Sequence, residues 1–188
     1  QNVKTAGGYG PSRIDNARRY LLNQIGTIAV GSALVDAASV GNLRFATSLV
    51  LDEDTLFWAS LLTRCDVVTI PDTVLVYNVD MDRMTDRFTT DARAMFLNVS
   101  KALLALRDLG LDRDSVQWRK AWLGRRMARM LANRGRYAEA DRMMRVARAH
   151  PAFRRSLRSI RYQIKISIGL FLSGPEKQRR VPPPRAAK

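Results

Sequence analysis

Three consecutive carboxylates, Asp52-Glu53-Asp54, run directly into the apolar and aromatic residues 55–58. Carboxylates at the start of a helix face the positive end of its dipole, and an N-cap side chain can satisfy the unpaired amides of the first turn. The pattern therefore predicts a helix over residues 53–63 with Asp52 as its N-cap. A carboxylate fixed there could act as a general base, or it could be an ordinary cap that complements the dipole. The local sequence leaves both interpretations open.

Apolar and β-branched runs on either side of this helix predict short strands. Residues 27–35 are small and β-branched, which is typical of a buried strand, and residues 67–70 and 74–77 are strand-like runs around a turn. Residues 14–25 suit a short helix. The first part of the chain is therefore predicted to be α/β, with a mixed sheet that is incomplete because only about three strands are present.

The amino-acid composition changes near Thr90, after which Ala, Leu, Met and Arg dominate. Apolar residues then recur at intervals of three and four, which predicts helices separated at Gly110, Gly135 and Pro151. The predicted helices span residues 90–109, 115–133, 136–149 and 152–172.

Charge is spread unevenly along the chain, whose formal net charge is +15. Residues 1–99 carry 9 Lys/Arg against 11 Asp/Glu, whereas residues 100–188 carry 23 against 6. The two parts are therefore expected to bind different partners. The predicted organisation is a mixed α/β part at residues 1–89, a basic α-helical C-terminal region at 90–174 and a disordered, proline-containing tail at 175–188.

Cysteine and histidine content excludes several kinds of site. Cys65 is the only cysteine, which rules out an intramolecular disulfide and a cysteine-based zinc site and is typical of a reducing compartment. His150 is the only histidine, so a His-rich metal site is excluded as well. No apolar run approaches the roughly 20 residues that a membrane-spanning helix needs. These observations predict a cytoplasmic protein, with peripheral attachment to the inner membrane as a further option.

Five short segments occur in an order that is typical of a known enzyme family. They are Val30-Gly31-Ser32, Leu43-Arg44-Phe45, Glu53-Asp54-Thr55-Leu56-Phe57-Trp58, Val67-Val68-Thr69-Ile70-Pro71 and Val74-Leu75-Val76-Tyr77. Together they resemble the C-terminal half of a family 2 glycosyltransferase, a nucleotide-sugar-dependent enzyme of the GT-A fold whose acidic element has the pattern E-D-t-x-F-W. The resemblance covers roughly residues 14–90 and implies a partial GT-A-like mixed sheet.

The resemblance also implies roles for individual residues. The family's catalytic base matches Asp54, with Glu53 as its neighbour, and aspartate is ionised at pH 7 and able to accept the proton of an acceptor hydroxyl. Asp52 stands where the family often has Gly. Arg44, Asp52 and Trp58 are the expected substrate-binding residues. For Arg44 a guanidinium contact with the donor diphosphate or an acidic acceptor competes with an ordinary surface ion pair.

The donor-binding half of such an enzyme, with its metal-holding Asp-x-Asp, is expected upstream of these residues. A divalent cation, Mg²⁺ or Mn²⁺, is therefore expected for the complete enzyme, with its ligands outside this chain. Asp80-Met81-Asp82 has the Asp-x-Asp pattern, but it lies downstream of Tyr77, where the family does not hold its metal. A solvated loop is the preferred interpretation. Gln117-Trp118-Arg119 has the wrong spacing for the Gln-x-x-Arg-Trp motif of processive synthases, so non-processive transfer is predicted.

The resemblance as a whole predicts part of a non-processive glycosyltransferase. Such an enzyme would move a sugar from a nucleotide-sugar donor to a lipid-linked or saccharide acceptor in cell-surface polysaccharide or glycolipid synthesis.

The basic C-terminal helices suggest a second partner. Ile160, Ile164, Ile168 and Phe171 recur at helical spacing beside Arg and Lys residues, a pattern typical of a helix in the headgroup region of an anionic membrane. A solvated basic face on a helix packed against the core is the competing interpretation. Residues 160–166 also alternate with period two, which leaves even their helical state open.

Two other function classes remain as alternatives. A basic region with Arg clusters and interspersed Trp and Tyr would attract nucleic-acid phosphates, although no known nucleic-acid-binding motif is present. A non-catalytic interaction domain is the other alternative.

Overall fold

The computed structural model describes residues 9–26, 28, 30–49, 51–68 and 91–177. Over these ranges the regular secondary structure is helical, with two short 3₁₀ turns at Val30–Ser32 and Leu106–Leu109. The α-helices are α1 (Arg13–Leu21), α2 (Ala37–Val40), α3 (Glu53–Leu62), α4 (Ala92–Ala105), α5 (Arg113–Asn133), α6 (Tyr137–Ala149), α7 (Pro151–Arg154) and α8 (Leu157–Lys177).

The predicted α/β class is wrong for the described part of the chain, which contains no strand. Within the run predicted as a buried strand, Val30–Ser32 forms a 3₁₀ turn and the side chain of Leu34 is fully exposed. Directly after this run, Asp36 caps α2 by accepting a hydrogen bond from the Ser39 N–H. A strand needs a paired neighbour and a face to bury, and the small residues at 31–33 offer little apolar surface for either.

The second predicted strand is likewise not formed where it can be followed. Val67 and Val68 are not in a strand, and the side chain of Val68 is exposed. Residues 69–70 and the third predicted strand at 74–77 lie outside the described residues, as do the Asp80-Met81-Asp82 sequence and the tail beyond residue 177. The described residues therefore do not form the GT-A-like sheet that the resemblance implied.

The helical predictions are confirmed with shifted ends. Gly110 and Gly135 have φ values of 93° and 74°, so the chain turns in the left-handed region at the two glycines expected to separate helices. The predicted helix at 152–172 is interrupted, because α7 ends at Arg154 and α8 begins at Leu157. Residues 160–166 are helical despite their alternation.

The described residues form two compact units. The first contains the residues up to 68 together with Leu97–Val116, and the second contains residues 91–96 together with 117–177. The domain boundaries at residues 90 and 175 stay predictions.

In the first unit, α3 packs against α1 and against the 3₁₀ turn Leu106–Leu109. The buried Asn16 of α1 fixes the preceding loop, because its amide accepts from the Gly10 N–H at 2.8 Å and donates to the Gly10 carbonyl at 2.7 Å. Arg13 forms a two-point pair with Asp66, in which Nε–Oδ1 and Nη2–Oδ2 are both 2.8 Å. These contacts connect the start of α1 to the segment that follows α3.

In the second unit, α6 packs against α7 and α8. Gly169 of α8 lies against the ring of Tyr137, which leaves no space for a side chain at residue 169. Gly124 of α5 approaches the backbone of α6, because a Cβ there would lie 3.1 Å from the Met143 carbonyl oxygen. The close approach of another residue therefore favours glycine at both positions.

Replacing Gly124 tests the contact between α5 and α6. Gly124→Val is expected to lower the free energy of unfolding by about 1–3 kcal/mol, because the atoms it would meet belong to backbone and cannot rotate away. Arg129→Val, on an exposed position of the same helix, controls for the helix propensity of valine. Urea denaturation measures both, and an equal loss in the two variants would contradict the close packing.

Asp112 generates a pH-dependent prediction. Its carboxylate accepts from the Ser115 N–H at 2.8 Å and the Ser115 hydroxyl at 2.6 Å, and so caps α5. Burial alone would raise the pKa of Asp112, but these hydrogen bonds and the nearby Arg18 outweigh it and lower that pKa. Because the folded pKa is the lower one, the charge stabilises the fold above the unfolded pKa of about 3.9 and loses its effect as pH falls.

Asp112→Asn keeps a capping oxygen and removes the charge. The variant is expected to be less stable than the parent by about 0.5 kcal/mol at pH 7, a modest value because the side chain is half-exposed. The difference should shrink at about pH 3. Urea denaturation at the two pH values measures the difference in free energy of unfolding between the two proteins. A difference of the same size at both pH values would refute the prediction.

Candidate active site

The acidic residues singled out from the sequence lie at the start of α3, a helix that is buried on every side. Residues 55–62 are all buried, including the polar Thr55 and Ser60. A helix that is apolar around its whole circumference belongs in a core. Glu53 and Asp54 are the two residues of α3 that are not fully buried, so they mark the end where its first turn approaches solvent.

Asp52 holds the N-cap position in an unusual backbone conformation. Its φ and ψ are 61° and 14°, in the left-handed region, and its side chain makes no hydrogen bond to the first turn. The predicted side-chain cap is therefore wrong, although the helix does begin at Glu53. Non-glycine residues adopt this conformation at a cost of roughly 1–2 kcal/mol. It is the conformation that glycine, the residue suggested by the resemblance, adopts freely.

Asp54 is half-buried and held by the residue that follows it. Its Oδ1 accepts from the Thr55 N–H at 2.7 Å and, more weakly, lies 3.4 Å from the Thr55 hydroxyl. Both of these contacts are made by Oδ1, so Oδ2 is the oxygen that remains to accept a proton. Thr55 was not singled out from the sequence as a functional residue, although it occupies the threonine position of the acidic element.

Phe45 joins two of the sequence segments in space. Its ring stacks on that of Phe57 in α3, with the centroids 4.1 Å apart and an interplanar angle of 11°. The Leu43-Arg44-Phe45 segment is therefore packed against the acidic helix through a stacked aromatic pair. From the sequence, Phe45 is expected only as a member of this segment beside Arg44.

Arg44 and Trp58 are placed differently from the acidic pair. Arg44 is exposed, and its guanidinium donates to the carbonyls of Gly41 and Leu43, both at 2.8 Å. It therefore stabilises the turn after α2. Trp58 is buried in the core of the first unit with its ring edge-on to Phe57, and its indole N–H has no hydrogen-bond partner among the described residues. Such an unsatisfied donor costs about 1–3 kcal/mol.

The acidic turn does not form a metal site with other residues of the described ranges. No group of three or more His, Cys, Asp or Glu residues in them is arranged to hold a metal ion. These residues therefore do not fit the expected divalent cation as a ligand set. An open depression is lined by residues of the α4–α5 connection, among them Arg107, Asp108 and Asp112, and residues 52–54 are not part of it.

Comparison of the chain with models of protein families, with curated proteins and with solved structures finds no match. Among the helices of the described residues, none combines the length and the apolar character that crossing a bilayer requires.

The conformation of Asp52 is open to a direct test. Asp52→Gly and Asp52→Ala both remove the carboxylate, and they differ by one Cβ. Because that Cβ is disfavoured in the left-handed region, the Gly variant should be more stable than the Ala variant by about 1 kcal/mol. Chemical denaturation of both proteins measures the difference. An Ala variant as stable as the Gly variant would mean that residue 52 is not left-handed.

Proposed function

We propose that this chain contributes the acceptor-side, base-bearing part of a non-processive glycosyltransferase. Its substrates would be a nucleotide-sugar donor and a lipid-linked or saccharide acceptor. Because the described residues contain no strand, support comes from the acidic turn and not from a sheet. The observation that carries the proposal is the first turn of α3, where Asp54 is held at the accessible end of an otherwise buried helix.

Two further features of the turn support this function over simple capping. A capping aspartate normally has an extended backbone and bonds the first-turn amides through its side chain. Asp52 does neither, and its left-handed conformation matches a position where the similar family often has Gly. The Phe45–Phe57 stack also brings together two segments that the resemblance relates only by their order in the sequence.

The chemistry assigned to Asp54 is general-base catalysis. As the acceptor oxygen forms its bond to the anomeric carbon, the bond from that carbon to the nucleoside diphosphate breaks, and the acceptor proton passes to Oδ2 of Asp54. The hydrogen bond from Thr55 to Oδ1 orients the carboxylate for this transfer. Glu53, its neighbour in the first turn, adds negative charge beside it. A divalent cation would stabilise the departing diphosphate, and its ligands are expected outside these residues.

The test is Asp54→Asn in the protein expressed from its complete open reading frame. Loss of a general base should reduce sugar transfer by roughly 10²–10⁴-fold, because the amide cannot take the proton. Transfer is measured as nucleotide released from a set of labelled nucleotide sugars in the presence of a membrane extract as acceptor source. Thermal unfolding followed by circular dichroism shows whether the variant keeps its fold.

Asp36→Asn provides the matched control. This aspartate caps α2, and asparagine caps a helix equally well, so the same chemical change is made away from the acidic turn. The control should keep full activity. Transfer by Asp54→Asn at the rate of the Asp36→Asn protein would eliminate Asp54 as the base.

A further inference from the structure

The face of α8 that points away from its packing partners is apolar, and no described residue covers it. The side of α8 that contains Ser159, Ile166 and Gly169 is buried. On the opposite side lie five exposed side chains, which we name the α8 stripe: Leu157, Ile160, Ile164, Ile168 and Phe171. At about 100° per residue these five fall within an arc of about 80° and extend over roughly 21 Å of helix.

The exposure of the α8 stripe is too large to be incidental. Phe171 is 86% exposed and Leu157 is 83% exposed, whereas Ile166 on the packed side is 0% exposed. Single exposed apolar residues are common on protein surfaces, but contiguous apolar patches mark places where something binds. The competing interpretation from the sequence, a solvated basic face on a helix packed against the core, accounts for the exposed cations and for the buried Ile166 but not for the exposed apolar side chains of the α8 stripe.

A row of positive charge runs along one side of the α8 stripe. Helical geometry places Arg158, Arg161 and Lys165 next to it, and all three are exposed. Lys165 is held by a hydrogen bond to Asn133 at the end of α5. The pKa of Arg125, in α5 of the same unit, is lowered mainly by burial and also by the nearby charge of Arg158. Positive groups are therefore crowded around the start of α8.

Carboxylates of the same unit do not neutralise this row. Residues 117–177 contain 16 Lys/Arg against 3 Asp/Glu. Glu139 is paired with Arg136 at 2.6 Å and Asp141 with Arg145 at 2.9 Å. Among the described side chains of this stretch, neither Glu139 nor Asp141 forms an ion pair with Arg158, Arg161 or Lys165, so these cations can attract counter-charge from another molecule.

We propose that α8 docks on the surface of an anionic membrane. The α8 stripe enters the boundary between headgroups and acyl chains, and Arg158, Arg161 and Lys165 contact lipid phosphates. The packing of Gly169 against Tyr137 holds the opposite face of the helix in the protein, so α8 lies along the membrane plane. This binding is independent of the proposed transfer reaction.

Charge and shape disfavour the other occupants. Two copies of this chain that met through the α8 stripe would bring two basic rows together, which costs energy. A nucleic acid would use the cations and stack bases on aromatic rings, and it would leave a mainly aliphatic stripe uncovered. A lipid surface satisfies both the apolar and the cationic features at once.

The test is co-sedimentation of the 188-residue chain with vesicles. Vesicles of mixed phosphatidylglycerol and phosphatidylcholine should bind the chain, and phosphatidylcholine vesicles should bind it weakly. Removing the α8 stripe by Ile164→Ser, Ile168→Ser and Phe171→Ser should reduce affinity for the anionic vesicles by at least about tenfold. Arg158→Gln with Arg161→Gln should reduce it by about tenfold or more, and added salt should weaken the parent protein's binding.

Two matched controls separate the site from bulk properties. Leu97→Ser with Leu104→Ser removes exposed leucines of α4, and Arg142→Gln with Arg148→Gln removes the same charge from exposed positions of α6. Both controls should bind anionic vesicles as the parent protein does. Circular dichroism should show equal helicity in all variants, because every substituted side chain is exposed.

Several outcomes would overturn the membrane assignment. Binding that is unchanged when the α8 stripe is removed would mean simple electrostatic adsorption. Duplex DNA binding that depends on the arginines but not on the isoleucines, without vesicle binding, would assign the surface to nucleic acid. A stripe variant that changes only self-association in analytical ultracentrifugation would assign it to a second copy.

Discussion

The burial of α3 on all sides is the constraint on which the first unit depends. Moving this helix out of the core would expose apolar residues of 55–62, so their burial holds it in place. The accessible part of α3 is its first turn, which is where Glu53 and Asp54 lie. A general base needs a carboxylate on rigid support with one oxygen accessible, and a fully packed helix behind the acidic turn supplies that support.

Helices could be predicted from this sequence because their signals are local. Apolar spacing, the glycines at 110 and 135, and the acidic start of α3 each depend on a few neighbouring residues. The strands could not be predicted in the same way. A β-branched run forms a strand only where another strand pairs with it. Here Val30–Ser32 forms a 3₁₀ turn instead, and the capped helix α2 follows.

The candidate site was predictable in composition but not in geometry. The sequence identified Glu53 and Asp54 and the start of their helix, because carboxylates favour that position whatever their function. The left-handed backbone of Asp52 has no local signal, since aspartate more often caps through an extended conformation. The Phe45–Phe57 stack joins residues twelve positions apart and depends on the tertiary fold.

Net charge is a poor guide to the surface of the second unit. In α5 the guanidinium of Arg119 lies over the ring of Trp122 at 4.3 Å, and that of Arg125 lies over Phe153 at 4.7 Å. These two arginines pack on aromatic rings within the unit, so their place in the sequence does not show that they face a partner. What distinguishes α8 is the position of its cations beside an uncovered apolar face. A membrane surface with anionic phosphates would neutralise the cations and would also bury the apolar face. A nucleic acid would neutralise only the cations.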